Sequence, residues 1–405
     1  GRSAAWRRGR CGWFAEPCPD LPDLLRHMVR WLWVRAALVA AAALGVGTCA
    51  SGSRVKELSS SALKSVLAPD AAPWLDLNDS SSLLSRILIP RVPGTENNRH
   101  VRETIVSALA EDRDPQGNAR WHIETPSFNM TTPLGELPMT NIVATRDPHA
   151  ARKLVLAAHL DSKYYAPEDV NHGFVGATDS AAPMALLVDI ARSLGAQLDA
   201  YTAQKAALRA AYAPRMDDVT LQLLFLDGEE AFHYWTATDS VYGARALAAL
   251  WAHEWEAAVP AHPHLAARHG AGRWTAERRI EAIDHFVLLD LLGAKHPSVP
   301  HYFDSTRWMH EQLQRIEARL AQEGLLWPAG EKAHSIFVPQ RGPSIEDDHL
   351  PFLRQGVPVL HLIPYPFPYV WHTIGDDVTA LDPPTLHAWS RIMRVFVAEY
   401  LDMAK

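Results

Sequence analysis

The hydrophobic positions alternate along the chain between continuous apolar runs and helical spacing. Continuous apolar runs of a few residues are typical of strands buried on both faces of a sheet. The segments between them repeat apolar residues at the spacing of amphipathic helices. This alternation predicts an α/β fold, with a central mixed, largely parallel sheet flanked by helices. The predicted strands are 154–158, 219–226, 286–289 and 357–363, and the predicted helices are 183–194, 305–325 and 384–400.

Polar residues cluster where the predicted strands end. His159 and Asp161 follow the first strand, residues 227–230 follow the second, Asp290 ends the third, and His361 lies within the fourth. Ligands in open α/β sheets gather beyond the carboxyl ends of the strands. We therefore expect these side chains to converge, although they are far apart in sequence.

Composition and charge narrow the classes of function. The chain has 405 residues, of which 48% are hydrophobic, enough for one large core, and a net charge of -7. Phosphate binding needs clustered Lys and Arg, and no such cluster follows the first 35 residues, so we expect no nucleic-acid partner. We predict a single catalytic domain over 83–405 after a leader over 51–82, with surface excursions at 196–217 and 252–279.

The first 50 residues have the order of a targeting segment. Arg26, Arg30 and Arg35 precede an apolar, alanine-rich stretch over 36–50, which is too short alone for a full membrane span of about 20 residues. We predict an N-terminal extension with a signal peptide, or an uncleaved signal anchor if residues 31–34 join the run. A buried N-terminal helix is the alternative. Membrane contact is expected only through such an anchor.

Two tripeptides match the acceptor pattern for N-glycosylation, at Asn78 and Asn129. Because this modification occurs in the lumen, the sequence favours the secretory pathway, with a secreted or Golgi-lumenal protein. Cys11, Cys18 and Cys49 all precede residue 51, so the predicted catalytic domain has neither a disulfide nor a cysteine nucleophile.

Three separated stretches supply ligands that suit zinc. Zinc accepts carboxylate oxygen and imidazole nitrogen, and a catalytic zinc keeps three protein ligands and one open position. Asp179, Glu230 and His372 provide that number. Asp179 also suits the N-cap of the helix that follows it, and both roles are compatible. A lone histidine in a proline-rich loop is more often structural, although loops carry many site residues.

The adjacent residues Glu229 and Glu230 follow a buried strand directly. Neighbouring residues in a loop point to different partners, so one carboxylate can bind metal while the other transfers protons. This division requires different environments, since acid–base catalysis needs a pKa near the working pH. A solvated acidic loop is the alternative, but the apolar residues on both sides favour a buried location.

Several motifs together resemble the animal glutaminyl cyclases, or glutaminyl-peptide cyclotransferases. The resemblance runs from about residue 90 to residue 403, and it implies the fold of the zinc aminopeptidases. The motifs that carry it are GATDS at 176–180, FLDGEEAF at 225–232, LLDLLG at 288–293, DDH at 347–349, GVPVLHLI at 356–363, PFP at 366–368 and WHT at 371–373.

The resemblance implies a role for each matching residue. Asp179, Glu230 and His372 would bind one zinc ion per chain, and Glu229 would be the general acid and base. Asp290 and Asp347 would form the acidic pair that steadies the leaving amide nitrogen. The substrate pocket would be formed by Trp235, Phe367 and Trp371, with His361 as a supporting hydrogen-bond residue.

The implied reaction is cyclisation of N-terminal glutamine, and more slowly glutamate, to pyroglutamate. Zinc polarises the γ-carbonyl, the substrate's own amine attacks it, and Glu229 moves the proton from the amine to the departing ammonia. The expected partners are peptide or protein N-termini beginning with Gln or Glu, and we expect a monomer.

The strongest rival is a two-metal zinc aminopeptidase of the same fold. Its ligands would be His159, Asp179, Glu230, Asp290 and His372, and all five are present. The third alternative is a noncatalytic lumenal binding protein, but none of the metal ligands is missing from the sequence.

The chain departs from the vertebrate cyclases at Ala158 and Met184, where those enzymes carry a cysteine pair. The loss of that cross-link concerns stability more than chemistry.

Overall fold

The computed structural model describes residues 55–403, apart from 212–217, 257–276, 329 and 332–333. The N-terminal extension predicted for residues 1–50 lies outside the described residues. From Lys56 onward the chain forms one compact unit. In the described part of the chain, no helix combines the length and the apolar composition needed to cross a membrane.

Six strands of the described chain form the central sheet, in the order β1-β4-β6-β5-β9-β12. The strands β6, β5, β9 and β12 run parallel, whereas β4 is antiparallel to β6 and β1 is antiparallel to β4. The mixed, largely parallel sheet is therefore confirmed. Its strands are β1 (His122–Glu124), β4 (Ile142–Thr145), β5 (Arg152–His159), β6 (Val219–Leu226), β9 (Ile283–Leu289) and β12 (Val359–Leu362).

The central strands are apolar on both faces because helices cover both sides of the sheet. Along β5, Leu154 and Leu156 contribute to one hydrophobic cluster, while Val155 and Ala157 contribute to the cluster on the opposite face. This alternation follows from the two-residue period of a strand. The remaining strands form pairs outside the central sheet: β2 (Ser127–Thr132) with β3 (Gly135–Thr140), β7 (Trp255–Glu256) with β8 (Glu277–Arg278), and β10 (Val299–His301) with β11 (Phe337–Arg341).

The predicted helices are present within a few residues of their expected bounds. The final helix is capped by Asp382, whose carboxylate accepts a hydrogen bond from the Thr385 amide, and Pro383 is its first residue. The helices are α1 (Ser60–Leu67), α2 (Ala72–Leu75), α3 (Leu83–Ile87), α4 (Glu96–Ala110), α5 (Ala182–Ser193), α6 (Gly195–Ala211), α7 (Tyr242–His253), α8 (Arg307–Gln322), α9 (His349–Leu353) and α10 (Pro383–Tyr400).

One predicted boundary needs correction. Residues 56–82 are not separate from the catalytic unit, because Leu63 and Val66 of α1 are buried in the main core and the Leu58 amide donates to Glu399 Oε1 at 3.0 Å. The segment 196–217, predicted as a surface excursion, is the helix α6 over its described residues, and Leu198 and Tyr201 of this helix pack on the core. Most of 252–279 lies outside the described residues.

Candidate active site

The polar residues that follow the parallel strands meet at the carboxyl edge of the sheet. One ligand atom from each of Asp179, Glu230 and His372 lies within 4.8 Å of the others. His372 Nε2 is 3.1 Å from Glu230 Oε1 and 3.5 Å from Asp179 Oδ2. Asp179 Oδ2 is buried and has no hydrogen-bond partner among the described residues. Two carboxylates and an imidazole thus form a group that could hold a metal ion.

Asp161 holds the loop after β6 in place. Its carboxylate accepts hydrogen bonds from the Gly228 and Glu229 amides at 2.8 and 2.9 Å, and from the Glu230 amide at 3.2 Å. Gly228 has a φ of +76°, and a β-carbon there would lie 2.6 Å from Met139 Sδ. Only glycine fits both constraints, so the turn that separates the two glutamates from β6 depends on it.

The two adjacent glutamates occupy different electrostatic environments. Burial would raise the pKa of Glu230, but the facing His372 and Lys163 lower it to about 2. Lys163 Nζ lies 3.1 Å from Glu230 Oε2. For Glu229, burial raises the pKa well above its ordinary value, and the nearby charges of Glu230 and Asp347 add to the effect, although His159 opposes it. Glu230 is therefore ionised, as a metal ligand must be, while Glu229 is able to carry a proton.

The segment that carries Asp179 is fixed by a buried arginine. The Arg91 guanidinium donates to the carbonyls of Leu160, Val175, Gly176 and Asp179, and Arg91 is fully buried. Burial raises the pKa of Asp179 to about 6, and the charge of Glu230 contributes. Through these charge-assisted hydrogen bonds, Arg91 orients the backbone that carries the first candidate ligand.

His159, at the end of β5, contacts Asp179. Its Nε2 lies 2.8 Å from Asp179 Oδ1 and 3.4 Å from Asp290 Oδ1. These three residues form a second group with ligand atoms within 4.8 Å of one another. The structure therefore brings together all five ligands of the two-metal alternative, and ligand positions alone do not separate it from a one-metal site.

The two aspartates of the predicted acidic pair lie on one side of the site. The Ser180 hydroxyl donates to Asp290 Oδ1, and the Leu291 amide donates to the same oxygen at 2.8 Å. Asp347 Oδ2 lies 2.8 Å from His361 Nε2. Burial raises the pKa of Asp347, and the charge of Asp290 raises it further. The structure thus places His361 against Asp347 rather than in the wall of the substrate cavity.

An aromatic cavity opens over the candidate ligands. It contains about 1010 Å³ of space, including its mouth, and both Glu229 and Asp347 reach it. Trp371 stacks on the His372 ring with centroids 4.0 Å apart, and Phe367 meets the edge of Trp371 at 5.0 Å. Trp235 also lines this cavity, and its Nε1 donates to Glu346 Oε2 at 2.9 Å. The three predicted aromatic residues therefore line one cavity.

His372 has an unusual backbone conformation. Its φ of +56° lies in the left-handed region, which costs a non-glycine residue energy and recurs at functional sites. The Tyr165 hydroxyl donates to the His372 carbonyl at 2.9 Å. Packing against Trp371 and this hydrogen bond hold the imidazole over the two carboxylates.

Three residues that shape the site had no predicted role: Arg91, Lys163 and Ser180. Lys163 lies four residues beyond the end of β5, at the edge where ligands gather, and that position was the available signal. Arg91 precedes the sheet and carries no local signal. At the positions of the missing cysteine pair, Ala158 and Met184 are both fully buried in the main core, so apolar packing occupies them.

The sequence matches a known protein family and named members of it. The model of "Peptidase family M28" matches residues 141–397, and the chain belongs to this family. Within it, the chain is 45% identical to a glutaminyl-peptide cyclotransferase-like protein of Bos taurus, over 80% of this chain and 75% of that protein. It is 42% identical to the glutaminyl-peptide cyclotransferase of Gloydius blomhoffii, over 79% and 80% of the two chains.

The solved structure of Macrostomum lignano glutaminyl cyclase superimposes with a TM-score of 0.68 at 32% identity, covering 87% of this chain and 96% of that one. The chain is thus a member of the glutaminyl-peptide cyclotransferase family and an enzyme of that type. The predicted fold and family are confirmed.

Proposed function

We propose that this enzyme binds one zinc ion and converts N-terminal glutamine of peptides and proteins to pyroglutamate, releasing ammonia, with N-terminal glutamate as a slower substrate. The contrast between Glu229 and Glu230 carries the proposal. Glu230 is held ionised between Lys163 and His372. Glu229 has a raised pKa and lines the aromatic cavity. This is the division between ligand and proton carrier that the reaction requires.

The donor set fits zinc. Two carboxylate oxygens and an imidazole nitrogen are ordinary zinc ligands, and the buried Asp179 Oδ2 has no other hydrogen-bond partner among the described residues. A zinc ion held by Asp179, Glu230 and His372 would polarise the γ-carbonyl of the substrate glutamine. We propose one such ion per chain.

The residues of the chain supply orientation and proton transfer. Trp235, Phe367 and Trp371 enclose the glutamine side chain and exclude water from its amide. Glu229 takes a proton from the α-amine as the amine nitrogen bonds to the carbonyl carbon of the side-chain amide. It then gives that proton to the amide nitrogen, which leaves as ammonia. Because the substrate provides its own nucleophile, no covalent bond to the enzyme is needed.

The test is incubation of the zinc-loaded protein with a glutamine-initiated peptide, followed by mass spectrometry. Loss of one ammonia from the intact peptide supports the proposal. Release of free glutamine would instead establish the two-metal aminopeptidase, for which His159 and Asp290 are suitably placed. The number of zinc ions bound per chain at full activity is an independent test, since the cyclase requires one ion and the aminopeptidase requires two.

We further propose that the enzyme acts as a monomer in the secretory pathway, either secreted or in the Golgi lumen. The side chains of Asn78 and Asn129 are both exposed, which N-glycosylation requires. Expression in animal cells, followed by enzymatic removal of N-glycans, should shift the protein's electrophoretic mobility. The double variant Asn78→Gln/Asn129→Gln should show no shift, and an unshifted parent protein would contradict the assignment.

A further inference from the structure

Another group of potential ligands lies beside the active site, and one of its members also lines the substrate cavity. It consists of Asp347, His349 and His361, and one ligand atom from each lies within 4.8 Å of the others. All three residues are buried, with exposed fractions of 2%, 1% and 2%. The group shares no residue with the candidate zinc site at Asp179, Glu230 and His372.

The local fold explains why these residues meet. Asp347 and His349 are two residues apart at the start of α9, and His361 is in the neighbouring strand β12. Asp347 Oδ2 lies 2.8 Å from His361 Nε2, and the two imidazole rings are 4.6 Å apart between centroids. One carboxylate and two imidazoles form a donor set typical of zinc.

Both imidazoles retain a buried nitrogen with no assigned partner. Nδ1 of His349 and Nδ1 of His361 are buried and make no hydrogen bond within the described part of the chain. Buried polar atoms are nearly always paired, since an unpaired one costs free energy. Packing does not account for the choice of histidine at position 349, because the ring's edge contact with Phe303, at 5.4 Å, would suit phenylalanine as well.

We propose that Asp347, His349 and His361 form a second zinc site, distinct from the catalytic one, and that an ion bound there inhibits the enzyme. Tetrahedral zinc with ligand distances of about 2.0–2.1 Å separates its ligand atoms by about 3.3 Å. The group already lies within 4.8 Å, so small side-chain rotations bring it into that geometry. Water supplies the remaining position.

A separate cavity gives an ion access to this group. It contains about 740 Å³, including its opening, and both His349 and His361 line it together with Tyr302 and Arg341. Asp347 instead lines the aromatic cavity over Glu229. An ion can therefore reach the two histidines without passing through the peptide cavity.

Inhibition follows from the loss of Asp347 to the metal, a step that rests on the proposed catalytic role of this residue. A carboxylate bonded to zinc shares its negative charge with the ion, so it accepts a hydrogen bond from the departing amide nitrogen less strongly. Because the ion does not enter the peptide cavity, excess zinc should lower kcat and leave KM nearly unchanged.

The test uses the zinc-loaded protein titrated with further zinc, with bound metal and kcat measured in parallel. The parent protein should take up a second ion while kcat falls. His349→Phe keeps the ring packing and removes one ligand, so it should bind the second ion at least about tenfold more weakly, since even residues that only hydrogen-bond to a metal ligand contribute 10–100-fold to affinity. Its kcat and KM without added zinc should match the parent values.

His301→Phe is the matched control, because His301 is also buried but lies outside the group. It should respond to zinc as the parent protein does. If His349→Phe still takes up a second ion with unchanged affinity, that ion is at another group, such as His159, Asp179 and Asp290, and the proposal is overturned. Anomalous diffraction at the zinc edge, on parent crystals grown in excess zinc, locates the second ion whether or not the variant folds. Metal uptake does not require cyclase activity. A failure of the second-site proposal can therefore be distinguished from a failure of the proposed function.

Discussion

Lys163 Nζ donates a hydrogen bond of 3.1 Å to Glu230 Oε2, which leaves Glu230 Oε1 facing His372. The lysine thereby orients one ligand and favours its ionised form. We expect Lys163→Met to weaken zinc binding by about 10–100-fold, the usual effect of removing a hydrogen-bond partner from a metal ligand. Zinc competition with a chromogenic chelator measures this. Lys295→Met, which removes an exposed lysine, is the control and should bind zinc normally.

The adjacent glutamates allow a paired test of their proposed roles. Glu229→Gln should lower kcat by about 10²–10⁴-fold, the typical contribution of a general acid and base, and retain one zinc per chain. Glu230→Gln should lose zinc and activity together. Metal analysis and initial rates on the same preparations distinguish the two variants. Loss of zinc from Glu229→Gln would show that the division between ligand and proton carrier is wrong.

Trp235 offers a test of how the cavity holds its substrate. Trp235→Ala removes an aromatic wall and should raise KM about threefold to tenfold, since an aromatic pair contributes about 0.5–1.5 kcal/mol. Trp235→Phe keeps a ring but removes the hydrogen bond to Glu346, and its KM should stay close to the parent value. Tyr369→Ala, at a side chain that is 94% exposed, is the control. Equal KM values for the two Trp235 variants would assign the effect to the hydrogen bond.

The metal-free protein should become less stable as pH rises from about 5 to about 7.5. Burial raises the pKa of Asp179 to about 6, and burial and neighbouring charges raise the pKa of Asp227 and Asp376 to about 7, from an ordinary value of 3.8. At these carboxyls the folded state binds more protons than the unfolded state in this range, so their contribution to stability falls as pH rises. The raised pKa of His159 and of His372 has the same sign.

Zinc should reverse this trend, because Asp179 must ionise to bind it. The increase in Tm on adding zinc should therefore be larger at about pH 7.5 than at about pH 5.5. Thermal unfolding in chelator and in zinc, across this range, measures both effects. A metal-free Tm that rises steadily with pH would contradict the assignment of these buried carboxyls.

A buried ion pair joins α5 to α10. Arg394 Nε donates to Asp189 Oδ2 at 3.1 Å, and the hydroxyls of Ser193 and Ser390 complete the shell of this carboxylate. Arg394→Met leaves the carboxylate buried without its cation, so we expect a loss of about 3–5 kcal/mol in the free energy of unfolding. Urea unfolding measures it. Arg99→Met, at a solvent-exposed arginine, should change stability little.

The sheet and the candidate ligands were predictable because their signals are local. Continuous apolar runs marked β5, β6, β9 and β12, and the polar residues directly after them could only lie at one edge. Asp179, Glu230 and His372 then followed from ligand chemistry. Their roles in this chain remain predictions that the variants above test.

Other features were not predictable because they depend on contacts between distant segments. Nothing near Arg91 in the sequence indicates four carbonyl acceptors, and nothing near His349 indicates a neighbour in β12. The leader boundary was misplaced for a similar reason. The serine- and alanine-rich residues of α1 suggest a linker, and only their contact with α10 makes them part of the core.

The buried Arg91 affects which part of the chain is needed for a complete active site. The match to the peptidase family begins at residue 141, yet Arg91 supports the backbone of Asp179, and the Asn98 amide donates to Asp227 Oδ1 at 2.8 Å. A recombinant fragment trimmed to the matched region would lack both donors and would leave buried acceptors unsatisfied. The part of the chain that the active site requires thus begins well before the region matched by the family model, because Arg91 and Asn98 support residues of the site.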